Sequence, residues 1–232
     1  NKRDERLDAL LVGPGLGPEP AQPDEGDAAT WRWLQTFPGL LVLDADGLNR
    51  LASRQATAWL QARQGPTWLT PHRREFARLF PDLAQVPALE AAAIAAERSQ
   101  AAVLLKGARS IVAAPDGRIW QLGSADARSA RTGLGDVLAG YAAGCGARSL
   151  AALRAQCLGP PPGSADAPDR SQPASEDPGL IGLAAAGLDR SLAPLLAAAA
   201  LEHACAGLKA SHRRGQAVTP MDVAAALADG EL

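Results

Sequence analysis

The chain has 232 residues, 47% hydrophobic and 21% charged, with a formal net charge of −2. That length can bury the core of one large domain, and the near-neutral balance excludes a strongly basic nucleic-acid binder. No apolar run approaches the ~20 residues that span a bilayer, and the three scattered cysteines (Cys145, Cys157, Cys205) indicate neither a disulfide framework nor a zinc site.

Taken in order, Ala9-Leu10-Leu11-Val12 is an apolar run ending in Gly13-Pro14-Gly15-Leu16-Gly17, which reads as a buried strand and its exit loop. Residues 28–37, with Trp31, Trp33 and Leu34, suggest a helix. Leu40-Leu41-Val42-Leu43 is a second buried strand that delivers Asp44-Ala45-Asp46 at its C-terminal end. A single helix is predicted over 48–60, a short strand over 67–70, a helical stretch from Glu75 and a strong helix over 88–99. Residues 101–105 read as a fourth strand ending at Lys106-Gly107. Two more strands, 110–113 and 118–122, flank the turn signature Pro115-Asp116-Gly117. Residues 135–150 read as a small-residue helix suited to close packing.

Residues 159–178 hold no large apolar side chain and are rich in proline, so burial cannot repay their ordering entropy. They are expected to form a disordered insertion within the one domain, 1–232, not a boundary. Helical sequence resumes over 192–211. Thr219-Pro220-Met221-Asp222 announces a last helix, with an N-cap, proline at the first helical position and an acid at the third. Strands alternating with helices imply an α/β layer fold around a mostly parallel sheet. The protein is expected to be soluble and cytoplasmic.

The glycine loop is not a dinucleotide fingerprint. Its spacing is G-x-G-x-G, Pro18 follows, and a polar stretch intervenes before any helix. It is either a tight turn or a bare backbone surface on which a flat ligand lies close. Asp44, Asp46 and Asn49 stand at the carboxyl end of a strand, where open α/β sheets bind ligands. Asp46 can cap the following helix through the N–H of Leu48 or Asn49. One cap does not account for two acids, so one of them is expected to cap and the other to serve a site. Thr70-Pro71-His72 occupies the equivalent position after the third strand, which makes His72 a site candidate.

The basic residues are 20 Arg against 3 Lys (Lys2, Lys106, Lys209). A compact ammonium at the end of an apolar strand, Lys106, therefore suggests a phosphate contact, against the alternative of a snorkelling surface lysine. Gly133-Leu134-Gly135-Asp136 opens a predicted helix. Glycines there leave backbone N–H groups to converge on an anion, with the helix dipole adding positive potential. Asp136 can accept the proton of a hydroxyl attacking a phosphoryl group bound there.

These residues resemble the ADP/ATP-dependent NAD(P)H-hydrate dehydratases of the ribokinase-like superfamily. Five motifs occur in that family's order: Val12-Gly13-Pro14-Gly15-Leu16-Gly17, Leu43-Asp44-Ala45-Asp46-Gly47-Leu48-Asn49, Thr70-Pro71-His72 with Glu75-Phe76-Ala77-Arg78-Leu79, Leu104-Leu105-Lys106-Gly107-Ala108-Arg109, and Gly133-Leu134-Gly135-Asp136-Val137-Leu138-Ala139-Gly140. The resemblance implies a three-layer ribokinase-like sandwich. It also implies a repair reaction in which the S-epimer of hydrated NADH or NADPH is phosphorylated on its ring hydroxyl by ADP or ATP and then loses phosphate. Carried over by position, Lys106, Gly107, Ala108, Arg109 and Ser110, with Gly133 and Gly135, would bind the nucleotide. Gly15, Gly17, Asp46, His72 and Asp136 would contact the hydrate, with Asp136 as base.

Mg²⁺ is expected to come with the nucleotide through phosphate oxygens and water, without a protein metal site. The Arg- and Ala-rich composition leans towards ADP. A homo-oligomer and a fused or partner NAD(P)H-hydrate epimerase are expected, and the charge balance and the lack of a long apolar run speak against nucleic acid and membrane as partners. The family's opening strand, glycine-rich loop and helix have no match here, so the domain is read as N-terminally incomplete. Thr132 and Leu134 replace a glycine and a small hydroxyl residue of the family, and Ala125-Asp126-Ala127-Arg128 replaces a Gly-Asn-Pro-Gly run. The alternatives are a small-molecule kinase of the same superfamily and a non-catalytic nucleotide-binding remnant.

Overall fold

Four parallel strands lie side by side in chain order: β1 (Ala9–Val12), β2 (Leu40–Leu43), β3 (Thr67–Leu69) and β4 (Ala102–Leu105). The sheet continues antiparallel through β5 (Ile111–Ala113) and β6 (Ile119–Gln121). The structure is a computed structural model, and it describes residues 7–19, 25–123, 132–158, 191–215 and 217–230. The expected insertion at 159–178 lies outside them.

The helices are α1 (Glu25–Thr36), α2 (Ala45–Ala52), α3 (Ala56–Gln61), α4 (Arg73–Leu79), α5 (Ala88–Ser99), α6 (Leu134–Leu158), α7 (Ala193–Arg214) and α8 (Pro220–Ala228). Right-handed crossovers between successive neighbouring strands put every connecting helix on the same face. Accordingly the first five helices cover one side of the sheet. There Leu41, Leu43, Leu69, Val103 and Leu105 meet Trp31, Leu48, Leu51, Leu60, Phe76 and Leu79.

The alternate strand residues, Leu40, Val42, Trp68, Ala102 and Leu104, point the other way, onto Leu138, Ala142 and Leu150 of α6 and Leu196 and Ala200 of α7. Both faces are covered, which is why β2 and β4 read as unbroken apolar runs and not as alternating ones. The result is the expected α/β sandwich in three layers.

Small residues set the spacing on the α6 side. A Cβ at Gly146 would fall 2.2 Å from Leu40 Cδ2 and 3.1 Å from the Trp68 ring, so α6 approaches the sheet more closely than a larger residue would allow. Trp68 Nε1 donates to the Ser191 carbonyl at 2.7 Å, pinning the start of α7 to the middle of the sheet. A third apolar cluster, with Leu134, Ala206, Val218, Val223 and Leu227, fastens α8 to α7 and to the first turn of α6. Among the described residues no helix is long and apolar enough to cross a membrane.

One helix prediction needs correcting. The run over 48–60 is two helices, because the chain breaks between Ala52 and Ala56 with Gln55 in the left-handed region (φ 53°). The break turns α3 so that Ala56 and Leu60 reach the same core as Leu48 and Leu51. The final helix starts as predicted: Thr219 accepts from the Asp222 N–H, and the Asp222 carboxylate accepts from the Thr219 N–H at 2.8 Å.

Candidate active site

The site is built at the carboxyl edge of the four parallel strands. The exit of β1 and the start of α2 are pressed together there. A Cβ on Gly13 (φ 138°) would lie 1.6 Å from the Asp44 carbonyl oxygen, and one on Gly47 would lie 2.3 Å from the Val12 carbonyl oxygen. Only glycine allows these two backbones to touch. The contact fixes Asp44, whose N–H donates to Val12 O at 3.1 Å and whose carbonyl accepts from Gly47 N–H at 2.9 Å. The next residue, Ala45, sits at φ 47°, an unfavourable setting for a residue with a Cβ.

Asp44 holds the N-cap position of α2, yet its carboxylate makes no capping bond. It is 1% exposed, and its Oδ1 instead accepts from Lys106 Nζ at 2.7 Å. Lys106 reaches this acid from the end of β4, across the end of β3. Its own backbone is fixed by a bridge to His72 and by its N–H donating to the Pro71 carbonyl at 2.8 Å. The first turn of α6 completes the cluster. A Cβ placed on Gly135 would be 3.3 Å from Lys106 Nζ and 3.9 Å from Asp44 Oδ2, so helix backbone lies directly beside the ion pair.

Helix α6 begins at Leu134, so Gly135 and Asp136 lie inside its first turn, while Gly133 precedes it at φ 90°. The predicted order of a glycine pair followed by a helix is thereby shifted by one residue. The N–H groups of Leu134, Gly135 and Asp136 have no helical carbonyl four residues back. They and Lys106 direct N–H donors towards one small volume, and the same turn carries Asp136, which is exposed.

His72 is the N-cap of α4. Its Nδ1 accepts from the N–H groups of Arg74 and Glu75 at 3.1 and 3.2 Å, and Glu75 Oε2 accepts from the His72 N–H at 2.8 Å. This capping box gives the imidazole a structural task that the sequence did not reveal, and the ring remains half exposed at the site edge. Asp46 lies in the first turn of α2, partly buried, and does not cap it. The buried acid that meets the lysine is Asp44. The signal for that was its place directly after a wholly apolar strand, where the chain has not yet left the core.

Gly15 (φ 74°) and Gly17 (φ 71°) shape a loop with open space around both. Sequence reasoning missed what holds it: Arg50 Nη2 from α2 donates to the carbonyls of Leu16, Gly17 and Pro18 at 3.0–3.3 Å. Gly107, Ala108 and Arg109 form the exposed tip of the β4–β5 hairpin, closed by Ser110 Oγ donating to the Gly107 carbonyl at 3.1 Å. Beyond the first turn of α6, Val137 and Tyr141 with Ala224, Leu227 and Ala228 of α8 line a shallow apolar cleft of about 300 Å³. Tyr141 OH donates to Glu202 Oε2 at 2.7 Å, which with burial raises the phenol's pKa above its ordinary value.

A family model described as NAD(P)H-hydrate dehydratase matches residues 1–160. The bifunctional NAD(P)H-hydrate repair enzyme of Gloeobacter violaceus is 45% identical over 158 residues, covering 68% of this chain and 28% of the relative. That of Salinibacter ruber is 45% identical over 150 residues, covering 64% and 27%. The chain therefore spans less than a third of the length of these curated relatives.

Among solved structures, the ADP/ATP-dependent NAD(P)H-hydrate dehydratase of Bacillus subtilis, co-crystallized with ATP/Mg²⁺, superposes with a TM-score of 0.60 at 22% identity, over 98% of this chain and 67% of that one. A ribokinase-like superfamily protein of Enterococcus faecalis gives 0.60 at 18% identity, over 97% and 63%. Those two likenesses establish the ribokinase-like fold. The family match covers residues 1–160, the stretch that holds the strand ends and the helix start described above: the chain belongs to the NAD(P)H-hydrate dehydratase family.

Proposed function

We propose that this chain carries the dehydratase activity of NAD(P)H-hydrate repair: adenine-nucleotide-dependent conversion of the S-epimer of hydrated NADH or NADPH to the reduced cofactor. The observation that carries the reading is the approach of Lys106 to Gly135 in the first turn of α6, the turn that also carries the exposed Asp136. A terminal phosphoryl group held by the N–H groups of that turn and by the Lys106 ammonium lies within the helix dipole's positive end. The Asp136 carboxylate takes the proton of the substrate's ring hydroxyl as the hydroxyl oxygen attacks phosphorus and the nucleotide leaves. The ring nitrogen's electron pair then expels phosphate, and loss of a proton from the adjacent ring carbon restores the double bond.

Mg²⁺ enters with the nucleotide as part of the substrate, neutralising phosphate charge. Among the described residues no group of three or more His, Cys, Asp or Glu side chains is arranged to hold a metal ion. The Asp44 carboxylate is turned to Lys106, and on this reading Mg²⁺ would be held through phosphate oxygens and water. Gly15, Gly17, Asp46 and His72 would face the nicotinamide hydrate, and Lys106 to Ser110 the nucleotide. An epimerase activity, in the same polypeptide or a partner, would supply the S-epimer. Assembly as a homo-oligomer and a cytoplasmic location belong to the same reading.

The test is incubation of the protein with hydrated NADH, Mg²⁺ and either ADP or ATP, following the absorbance band of reduced nicotinamide. Recovery of the band with one nucleotide and not without it is expected. Phosphorylation of an unrelated alcohol in place of recovery would establish the kinase alternative instead.

A further inference from the structure

We propose that Asp44 is a positioning residue that presets the Lys106 ammonium for the phosphate groups of the nucleotide, an inference that rests on the nucleotide reading above. Strands two places apart in a sheet are separated by roughly 10 Å, and β3 lies between β2 and β4. A lysine extended across that gap needs a fixed anchor, since its four-carbon stem otherwise samples many rotamers. Asp44 supplies the anchor: Oδ1 accepts from Nζ at 2.7 Å, with the carboxylate side chain 2% exposed and the lysine side chain 20% exposed.

Several features keep Asp44 at this point instead of at the ordinary task of its position. It is the N-cap residue of α2 but leaves the capping bond unmade. The backbone after it takes an unfavourable φ of 47° at Ala45. Gly13 and Gly47 clear the space that lets its backbone sit against β1. An ammonium has three N–H donors. One is used by Asp44, and the partial exposure of the side chain leaves the others free for a ligand beside Gly135, whose Cβ position would lie 3.3 Å from Nζ. Ordering the lysine before the ligand arrives removes that entropy cost from binding. The pairing also means that neither buried charge is left uncompensated.

The inference predicts a coupled, phosphate-dependent effect. Binding of Mg·ADP and of adenosine is measured by calorimetry for the native protein, Asp44→Asn, Lys106→Met and the double variant. Asp44→Asn should weaken Mg·ADP binding about tenfold, the scale of one lost charge-assisted contact, and leave adenosine binding unchanged. In the Lys106→Met background the same change should add nothing further. Equal Mg·ADP affinity in native protein and Asp44→Asn, or losses that multiply in the double variant, would overturn the positioning role alone. Failure of the native protein to bind Mg·ADP would overturn the nucleotide reading and this inference together.

A second measurement needs no variant that must fold. With only three lysines in the sequence, ¹³Cε-labelled lysine yields few resonances to assign. Lys106 should show two distinct Hε signals in the free protein and shift on addition of Mg·ADP but not adenosine. A single averaged Hε signal in the free protein would overturn the proposal.

Discussion

Lys106 Nζ and Asp44 Oδ1 lie 2.7 Å apart although 62 positions separate them in the chain. The pair joins the ends of two strands that do not touch, and the first turn of α6 rests against it through Gly135. Cation, buried acid and helix start thus form one unit. The chemistry assigned to Asp136 depends on that unit, because a base is useful only where the phosphoryl group is held.

Asp136→Asn tests the base directly. The amide keeps the size of the side chain and cannot take the hydroxyl proton. The expected result is a kcat lowered by roughly 10²–10⁴, with Mg·ADP affinity and melting temperature near native. Turnover at the full rate would remove Asp136 from the proton transfer.

Gly13→Ala tests the strand-edge contact that fixes Asp44. The new methyl would occupy a point 1.6 Å from the Asp44 carbonyl oxygen, on a backbone at φ 138°. Neither atom belongs to a flexible side chain, so β1 and α2 must separate. A loss above about 4 kcal/mol is expected, the range reserved for severe backbone conflict. A urea midpoint within error of native would contradict the packing described.

Arg63 is a structural centre far from the chemistry. Its guanidinium donates to the carbonyls of Leu34, Phe37 and Gly39, gathering the ends of α1 and the entry to β2. Burial pushes its pKa down to about 10, which leaves it charged at neutral pH. Removal by Arg63→Met strands three carbonyls and should cost on the order of 2–4 kcal/mol, by the usual penalty for unpaired buried groups. Nucleotide affinity of the folded fraction should be unchanged, which calorimetry below the melting temperature would check.

His203 gives the protein a pH dependence of definite sign. Its Nε2 is buried without a hydrogen-bond partner among the described residues. Burial lowers its pKa, an effect partly opposed by a hydrogen bond to the Leu134 backbone. The unfolded chain therefore binds a proton at a higher pH than the folded one. Stability is undiminished above the unfolded value of about 6.5. It falls as pH drops below that value and levels off once the folded imidazole is itself protonated. His203→Gln should flatten the stability profile between about pH 7 and 5. Because His203 sits under the first residue of α6, an unchanged slope would mean another group governs that window. The capping carboxylate Asp222, lowered chiefly by its hydrogen bonds with Thr219, acts in the same direction but only below the ordinary carboxylate value of about 4.

Much of this molecule was legible in local sequence. β1 and β2 were readable to the residue because strands covered on both faces are uninterrupted apolar runs, α5 because its helical pattern is local and the start of α8 because its cap is. The motif residues were likewise confined by the sequence to strand ends and a helix start. Contacts between distant residues were not legible. That Asp44 rather than Asp46 reaches Lys106, that Arg50 clasps the glycine loop and that Arg63 gathers three carbonyls each depend on elements brought together from 20 or more positions apart. The helix break at Ser53 to Gln55 belongs with them, since Leu60 turns inward only because a core already waits there. Hydrophobic period and capping are properties of neighbours in the chain and are written in it. An ion pair across a sheet is settled by strand order and by which side chain is long enough to span it, and those exist only once the sheet has formed.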